Sequence, residues 1–242
     1  MSLKAILFDL DGTLLPMDND GFTEEYFRLL AAKAAPYGYE PKGLIKAVWA
    51  GTEDMIKNDG RETNEIVFRR RFASIYGEEK LSDFTIFDEF YRLEFLGTRR
   101  ACGYDPLAAE TVRGLKERGL TVALATNPIF PREAIETRVR WAGLEPSDFA
   151  YITSYENSRF CKPNPDYFRA VAEEIGVHPS DCLMVGNDVS DDGAAKKAGM
   201  TVFFMTACLI NHENRPISDE PQGGFPELSK YIELRSKKGL TV

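Results

Sequence analysis

From residue 103 onward, helical patterns close on a glycine and short apolar runs follow them. Asp105-Pro106 has the form of an N-cap and a first helical residue, and Gly119 ends that helix before the apolar run 120–124. Gly143 closes the next helical stretch before 149–152. Asn164-Pro165 opens a third, with Phe168, Val171, Ala172 and Ile175 on one face, and Gly176 ends it before 182–185. Gly199 precedes a last run at 201–205, and 3–8 supplies one more buried strand at the N-terminus. This alternation predicts βαβ units, hence an α/β fold with a doubly wound, Rossmann-like parallel sheet. Residues 17–102 read differently. The stretches 22–35, 43–57, 63–76 and 83–96 all have helical periodicity, and no strand signal interrupts them. The last carries Phe84, Phe87, Phe90, Tyr91 and Phe95, a stripe whose spacing suits packing better than cofactor binding. The expected organisation is an α/β core from 1–16 and 103–242 with an all-helical cap, 17–102, inserted between. The polar stretch 212–226 reads as an excursion before a final helix near 228–235.

Composition narrows the function. The chain has 242 residues, 43% of them hydrophobic, enough for a large core. A formal charge of -8 argues against a broad nucleic-acid or anionic-membrane footprint, and leaves room for a small anionic substrate beside a metal ion and a lysine. The four cysteines are scattered without a CxxC pair and read as reduced, mostly buried thiols. The N-terminus lacks a signal-peptide pattern, and no apolar run approaches the about 20 residues of a membrane span. The expectation is a cytoplasmic protein without membrane or nucleic-acid partners.

The first apolar strand ends in Phe8-Asp9-Leu10-Asp11-Gly12-Thr13. Carboxylates two residues apart on extended backbone point the same way, toward the edge where open parallel sheets bind ligands. Gly12 permits a sharp turn and Thr13 can bond back to it. An acidic turn would need no more than this.

The Asp9-Leu10-Asp11-Gly12-Thr13 pentapeptide resembles the opening motif, DxDGT, of phosphatases in the haloacid dehalogenase superfamily. Three further motifs follow in the family's order. Leu124-Ala125-Thr126-Asn127 ends a strand on a small hydroxyl residue. Cys161-Lys162-Pro163-Asn164-Pro165 sets a lysine before a helix. Met184-Val185-Gly186-Asn187-Asp188-Val189-Ser190-Asp191-Asp192 supplies the acids after another strand. The resemblance covers nearly all of the α/β part, and for the insert it extends only to its position, which matches the family's cap. It implies a Mg²⁺-dependent phosphomonoester hydrolase acting on a small phosphorylated metabolite. Asp9 would be the nucleophile that forms an aspartyl-phosphate, and Asp11 the acid/base, its side chain free to protonate the leaving oxygen and then activate water. Asp9, Asp188 and the Asp11 carbonyl would ligate Mg²⁺. Thr126 and the Asn127 N–H would bind phosphoryl oxygens, and Lys162 would pair with nucleophile and phosphate. Gly12, Thr13, Asn187 and Asp192 would support the site; Asp192 fits the second acid best by spacing, with Asp191 left open. Asn187 departs from many relatives, which carry the acid there.

Each residue type suits that chemistry independently of the family. A carboxylate can accept a phosphoryl group, the resulting acyl phosphate is labile to water, and Mg²⁺ takes few protein carboxylates. Within the superfamily, a sugar-phosphate mutase or a phosphonate hydrolase is the alternative; the latter needs a cap lysine, for which Lys33, Lys42, Lys46 and Lys57 are equal candidates. A non-catalytic binding protein on the same fold is the alternative from another class. Trp49, Arg61 and the run Arg69-Arg70-Arg71 are candidate cap contacts, although an arginine run is ordinarily a solvated helix face. Two isolated histidines support neither a zinc site nor a histidine nucleophile.

Overall fold

The computed structural model describes residues 3–238. Its sheet has six parallel strands: β1 Ala5–Phe8, β2 Thr121–Leu124, β3 Tyr151–Ile152, β4 Cys182–Gly186, β5 Thr201–Met205 and β6 Gln222–Gly223, in the order β3-β2-β1-β4-β5-β6. Four of the strands are apolar runs because both faces of the sheet are covered. Ile6, Phe8, Val122, Leu124 and Val185 pack on one side with Val112, Ile135, Val139 and Leu228. Ala5, Leu7, Ala123 and Met184 pack on the other with Phe168, Val171 and Ala195. The chain leaves β1 toward β2 on one side and reaches β4 on the other, so a crevice opens at the carboxyl ends of β1 and β4, where doubly wound sheets bind ligands.

Between β1 and the core helices, the chain forms α1 Asn19–Ala34, α2 Pro41–Ile56, α3 Asn64–Tyr76 and α4 Phe84–Arg92. The core helices are α5 Pro106–Glu117, α6 Arg132–Trp141, α7 Pro165–Glu174 and α8 Phe225–Lys238. The starts obey local chemistry. Asp18, Glu40, Thr63, Asp105 and Asn164 each accept a backbone N–H of the following turn, and proline sits at the first helical position of α2, α5 and α7. The chain passes between core and cap twice, and the two passages are bonded to each other: Asp18 N donates to Ala101 O at 3.0 Å and Gly103 N to Pro16 O at 2.7 Å, around an antiparallel bridge of Met17 with Cys102.

Three expectations need correction. The stripe at 83–96 is not one helix: α4 ends at Arg92, and 3-10 turns carry Phe95 from Glu94 to Ala101. The polar excursion holds a strand, β6, which pairs with Phe204 and Met205 on the edge of the sheet. The acidic stretch after β4 runs into 3-10 turns, Asp192–Ala198, instead of an α-helix, and Gly199 closes them at φ 92°. Among the described residues no helix is long and apolar enough to cross a membrane, and all four cysteines are free thiols, Cys161 and Cys182 buried.

The cap has its own aromatic core, which also rests on Ala134 and Trp141 of α6 and on Phe130 just before it. Phe90 is fully buried against Tyr26, Tyr91 and Phe95 with centroids 5.2–6.2 Å apart. Truncating such a ring removes transfer energy and leaves a cavity, so Phe90→Ala should lower stability by about 3–5 kcal/mol. Urea denaturation followed by fluorescence checks this; a loss below about 1 kcal/mol would mean that the cap core is loosely packed.

Candidate active site

Asp9 follows β1 and keeps its sheet bonding, its N–H donating to Val185 O at 2.9 Å. Its side chain is 11% exposed. Lys162, at the bend before α7, reaches it with Nζ 2.9 Å from Oδ1, and the same ammonium lies 2.7 Å from Asp192 Oδ1. Burial pushes the Asp9 carboxyl up to about 7, opposed by Lys162 and reinforced by Asp192 and Asp11. Burial alone would pull Lys162 down, but Asp192 and Asp9 hold it well above the ordinary lysine value, so the ammonium is permanently charged.

The loop after β4 is wound around its own acids. Asp188 Oδ1 accepts the N–H groups of Ser190 at 2.7 Å and Asp191 at 2.8 Å, while Asp192 Oδ2 accepts Asp188 N at 2.9 Å. Asp192 lies directly on the end of β4: a Cβ on Gly186 would sit 2.0 Å from its carboxylate, so only glycine fits there. Gly12, at φ 81°, is packed by Asn187 in the same way, and Asn187 is fixed by Thr13 Oγ1 at 3.1 Å and by donating to Cys208 O at 2.7 Å. Asn187 thus locks the turn after β1 to the loop after β4. Asn127 joins the remaining two loops, its Oδ1 accepting Lys162 N at 3.2 Å and its Nδ2 donating to Asp191 Oδ2 at 3.4 Å. Burial and Asp188 raise the Asp191 carboxyl to about 6. Thr126 is buried, and its carbonyl accepts from Tyr167 Oη at 2.7 Å and Thr153 Oγ1 at 2.8 Å.

A cavity of about 150 Å³ is lined by Asp9, Asp11, Thr126, Asn127, Lys162, Asn187, Asp188, Asp191 and Asp192, so every residue singled out from the motifs except Gly12 and Thr13 faces one space, and those two form the turn beneath it. Asp192, not Asp191, is the acid bonded to Lys162. A second, larger cavity of about 230 Å³ adjoins it under the cap, and Asp11, Asn19, Ile129 and Phe130 belong to the walls of both.

Asp11 is not free, as the motif alone suggested. Its Oδ2 is ion-paired with Arg138 Nη1 of α6, a side chain 1% exposed, whose guanidinium also lies 4.5 Å from the Phe130 ring centroid and 5.7 Å from that of Phe22. Asp11 Oδ1 is buried and has no protein hydrogen-bond partner among the described residues. Arg138 was missed in the sequence. Its one signal is position: it falls on the buried face of α6 with Ala134, Ile135 and Val139, where a charge needs a partner. The cap candidates fare unequally. Trp49 lines the larger cavity. Arg61 pairs with Asp59, Arg70 with Glu62, Arg71 with Asp54 and Arg69 with Glu65, so these are surface or structural pairs facing neither cavity.

Among the described residues no three His, Cys, Asp or Glu side chains converge to hold an ion by themselves. Magnesium does not require three, since it commonly takes one or two carboxylates and completes its shell with water and phosphate oxygens. Among the described residues, Asp9 and Asp188 each keep one carboxylate oxygen, Oδ2, without a hydrogen bond. Burial and two neighbouring carboxylates oppose the ionised form of Asp9, so the site favours an added cation and its donors fit a hard one.

A model of haloacid dehalogenase-like hydrolases matches residues 3–199. The phosphoglycolate phosphatase of Vibrio vulnificus strain YJ016 is 27% identical over 96% of both chains. A bifunctional riboflavin kinase/FMN phosphatase of Arabidopsis thaliana is 30% identical over 82% of this chain and 47% of its own length. Among solved structures, a 2-haloacid dehalogenase from Pseudomonas syringae pv. Tomato DC3000 superposes with a TM-score of 0.60 at 21% identity, covering 96% of this chain and 99% of that one. A HAD phosphatase from Thermococcus onnurineus gives 0.58 at 18%, covering 95% and 98%. The matched span runs from β1 through the acidic loop after β4 and contains every motif of the site: the chain belongs to the haloacid dehalogenase-like hydrolase family.

Proposed function

We propose that this chain is a Mg²⁺-dependent phosphomonoester hydrolase that works through an aspartyl-phosphate on Asp9. The observation that carries the reading is the buried carboxylate of Asp9, held by Lys162 at 2.9 Å, in the same small cavity as Thr126, Asn127 and Asp188. Asp9 and Asp188 would hold the metal, with the Asp11 carbonyl. When bound, Mg²⁺ would supply positive charge that favours ionised Asp9 and offsets the charge of the phosphate. The Asp9 carboxylate would attack phosphorus, one of its oxygens held in place by Lys162. Lys162, Thr126 and the Asn127 N–H would balance charge building on the phosphoryl oxygens. Asp11 sits on the wall between the two cavities, where a leaving oxygen would emerge. Its unpartnered Oδ1 can give that oxygen a proton and then take one from the water that opens the acyl phosphate. Arg138, fixed to Oδ2, keeps the other oxygen aimed.

Asp11 also favours ester hydrolysis over dehalogenation, which has no leaving oxygen to protonate. Lys33, Lys42, Lys46 and Lys57 face neither cavity, and among the described residues the lysine on either wall is Lys162, in the smaller one, so imine chemistry on a phosphonate lacks a cap amine.

Two measurements test the assignment. Asp9→Asn keeps the shape and removes the nucleophile, so phosphate release in Mg²⁺ should fall by about 10³-fold or more, around 4 kcal/mol of barrier. Activity close to that of the unmodified chain would exclude Asp9 as nucleophile. In Mg²⁺ titrations, Asp188→Ala should raise the half-saturating concentration more than Asp192→Ala. Asp192 acts by orienting Lys162 and the Asp188 backbone, a supporting role worth about 10–100-fold in metal affinity. A larger rise for Asp192→Ala would make Asp192 the ligand.

A further inference from the structure

We propose that the cavity under the cap receives an uncharged aromatic leaving group, so that the preferred substrates are aryl or arylalkyl phosphates and not phosphorylated hydroxy acids. This inference rests on the phosphatase reading and names the part of the substrate that reading leaves open.

The argument begins with the wall chemistry. Half of the residues around the 230 Å³ cavity are aromatic, contributed by α1, α2, α3, α4, the segment before α6 and Tyr155 after β3. Aromatic rings offer faces and edges to another ring, and they do not solvate a carboxylate. Two of the polar groups are already satisfied by each other, Tyr26 Oη lying 2.8 Å from Tyr91 Oη. Burial also raises both phenols, so they stay neutral.

Charge argues the same way. Arg138 is the one cation lining the cavity among the described residues, and it is bonded to Asp11 and covered by Phe22 and Phe130. The other charged groups on the wall are acids, Asp11 and Asp88. A leaving group bearing a carboxylate, such as glycolate, would meet no free donor of positive charge and two like charges. A pocket for a hydroxy acid needs a cation where this one has rings.

Size and placement complete the case. An apolar cavity of about 150 Å³ accommodates benzene, so 230 Å³ holds a substituted or fused ring. The cavity meets the phosphoryl site at Asp11, Asn19, Ile129 and Phe130. A phosphate seated beside Asp9 would therefore carry its ester oxygen past Asp11 and its organic group into the aromatic chamber. Trp49, half exposed at 52%, stands in the wall with its ring 5.4 Å from Phe27, where a bound ring would cover it.

The test compares three phosphates in Mg²⁺: the esters 1-naphthyl phosphate and phosphoglycolate, and the acyl phosphate acetyl phosphate, the last too small to use the chamber. The kcat/KM for 1-naphthyl phosphate should exceed that for phosphoglycolate by about 100-fold or more. Phosphoglycolate turned over equally well or better overturns the inference. Val48 lines the chamber and is only partly buried, so Val48→Phe narrows it at tolerable strain. The ratio of kcat/KM for naphthyl over acetyl phosphate should fall about tenfold in that variant, and an unchanged ratio counts against the chamber. A second readout needs no turnover. 1-Naphthol should bind the unmodified chain saturably, quench tryptophan fluorescence, and bind Val48→Phe more weakly. Absence of hydrolysis of all three phosphates would sink the phosphatase reading; absence of saturable naphthol binding would sink the aromatic chamber whatever their turnover.

Discussion

A single buried ammonium organises the site. Lys162 sits between Asp9 and Asp192, and all three side chains are nearly sealed from water. A charge placed there without its partners would be strongly unfavourable, by about 3–5 kcal/mol when one partner is removed from such a pair. The three residues come from the end of β1, the bend before α7 and the loop after β4. Their pairing obliges these segments to arrive together. The strand order makes this possible, because β1 lies beside β4 and the loops at their carboxyl ends share one crevice. The side chains of Asn187 and Asn127 then tie the neighbouring turns into the same frame.

A second buried cation repeats the arrangement one layer further out. Arg138 emerges from the core face of α6, takes one oxygen of Asp11 and is covered by an aromatic ring from the cap and another from the loop before α6. The two cations divide the interior. Around Lys162 the walls are acids, amides and a hydroxyl; beyond Arg138 they are rings. Asp11 stands on the boundary, the position an acid must hold if it serves a bond whose two sides differ so sharply in polarity.

Much of this was legible in the sequence, for definite physical reasons. Strands buried on both faces must be apolar runs, and residues at their ends must turn toward the crevice. Asp9, Thr126, Asn187 and Asp188 therefore announced themselves by following such runs. Lys162 stood out only through its place in the order of the family's motifs, since a lysine before a helix is ordinarily a surface residue. The strand β6 left no trace because Gln222 and Gly223 carry no apolar pattern and pair only at the sheet's edge. The aromatic stripe from Phe84 to Phe95 marked a packing surface correctly but hid the break after Arg92, since 3-10 turns keep a similar period. Arg138 was illegible for the opposite reason: charged residues on helices are usually exposed, and its partner lies 127 positions away. Arg61 and Arg70 drew notice as charges on the cap, yet each is taken up by a nearby acid at the surface. The chamber itself cannot be read from any one segment, because α1 to α4, Arg138 of α6 and the loops holding Asp11, Phe130 and Tyr155 contribute its walls.

The bonded passages at 16–18 and 101–103 bear on how such a chain can change over generations. Viewed from the sheet, the whole helical insert departs and returns at nearly one point, stitched by the bridge of Met17 with Cys102. Loop closure is already secured at the stitch, and the start of α3 makes a second attachment, with Asn64 N donating to Ser158 O and Glu65 N to Tyr155 O. Between these attachments helices can lengthen or shorten without touching the register of β1 against β2 or β4. The carboxylates at the strand ends inherit a fixed geometry, while the rings above them remain open to replacement.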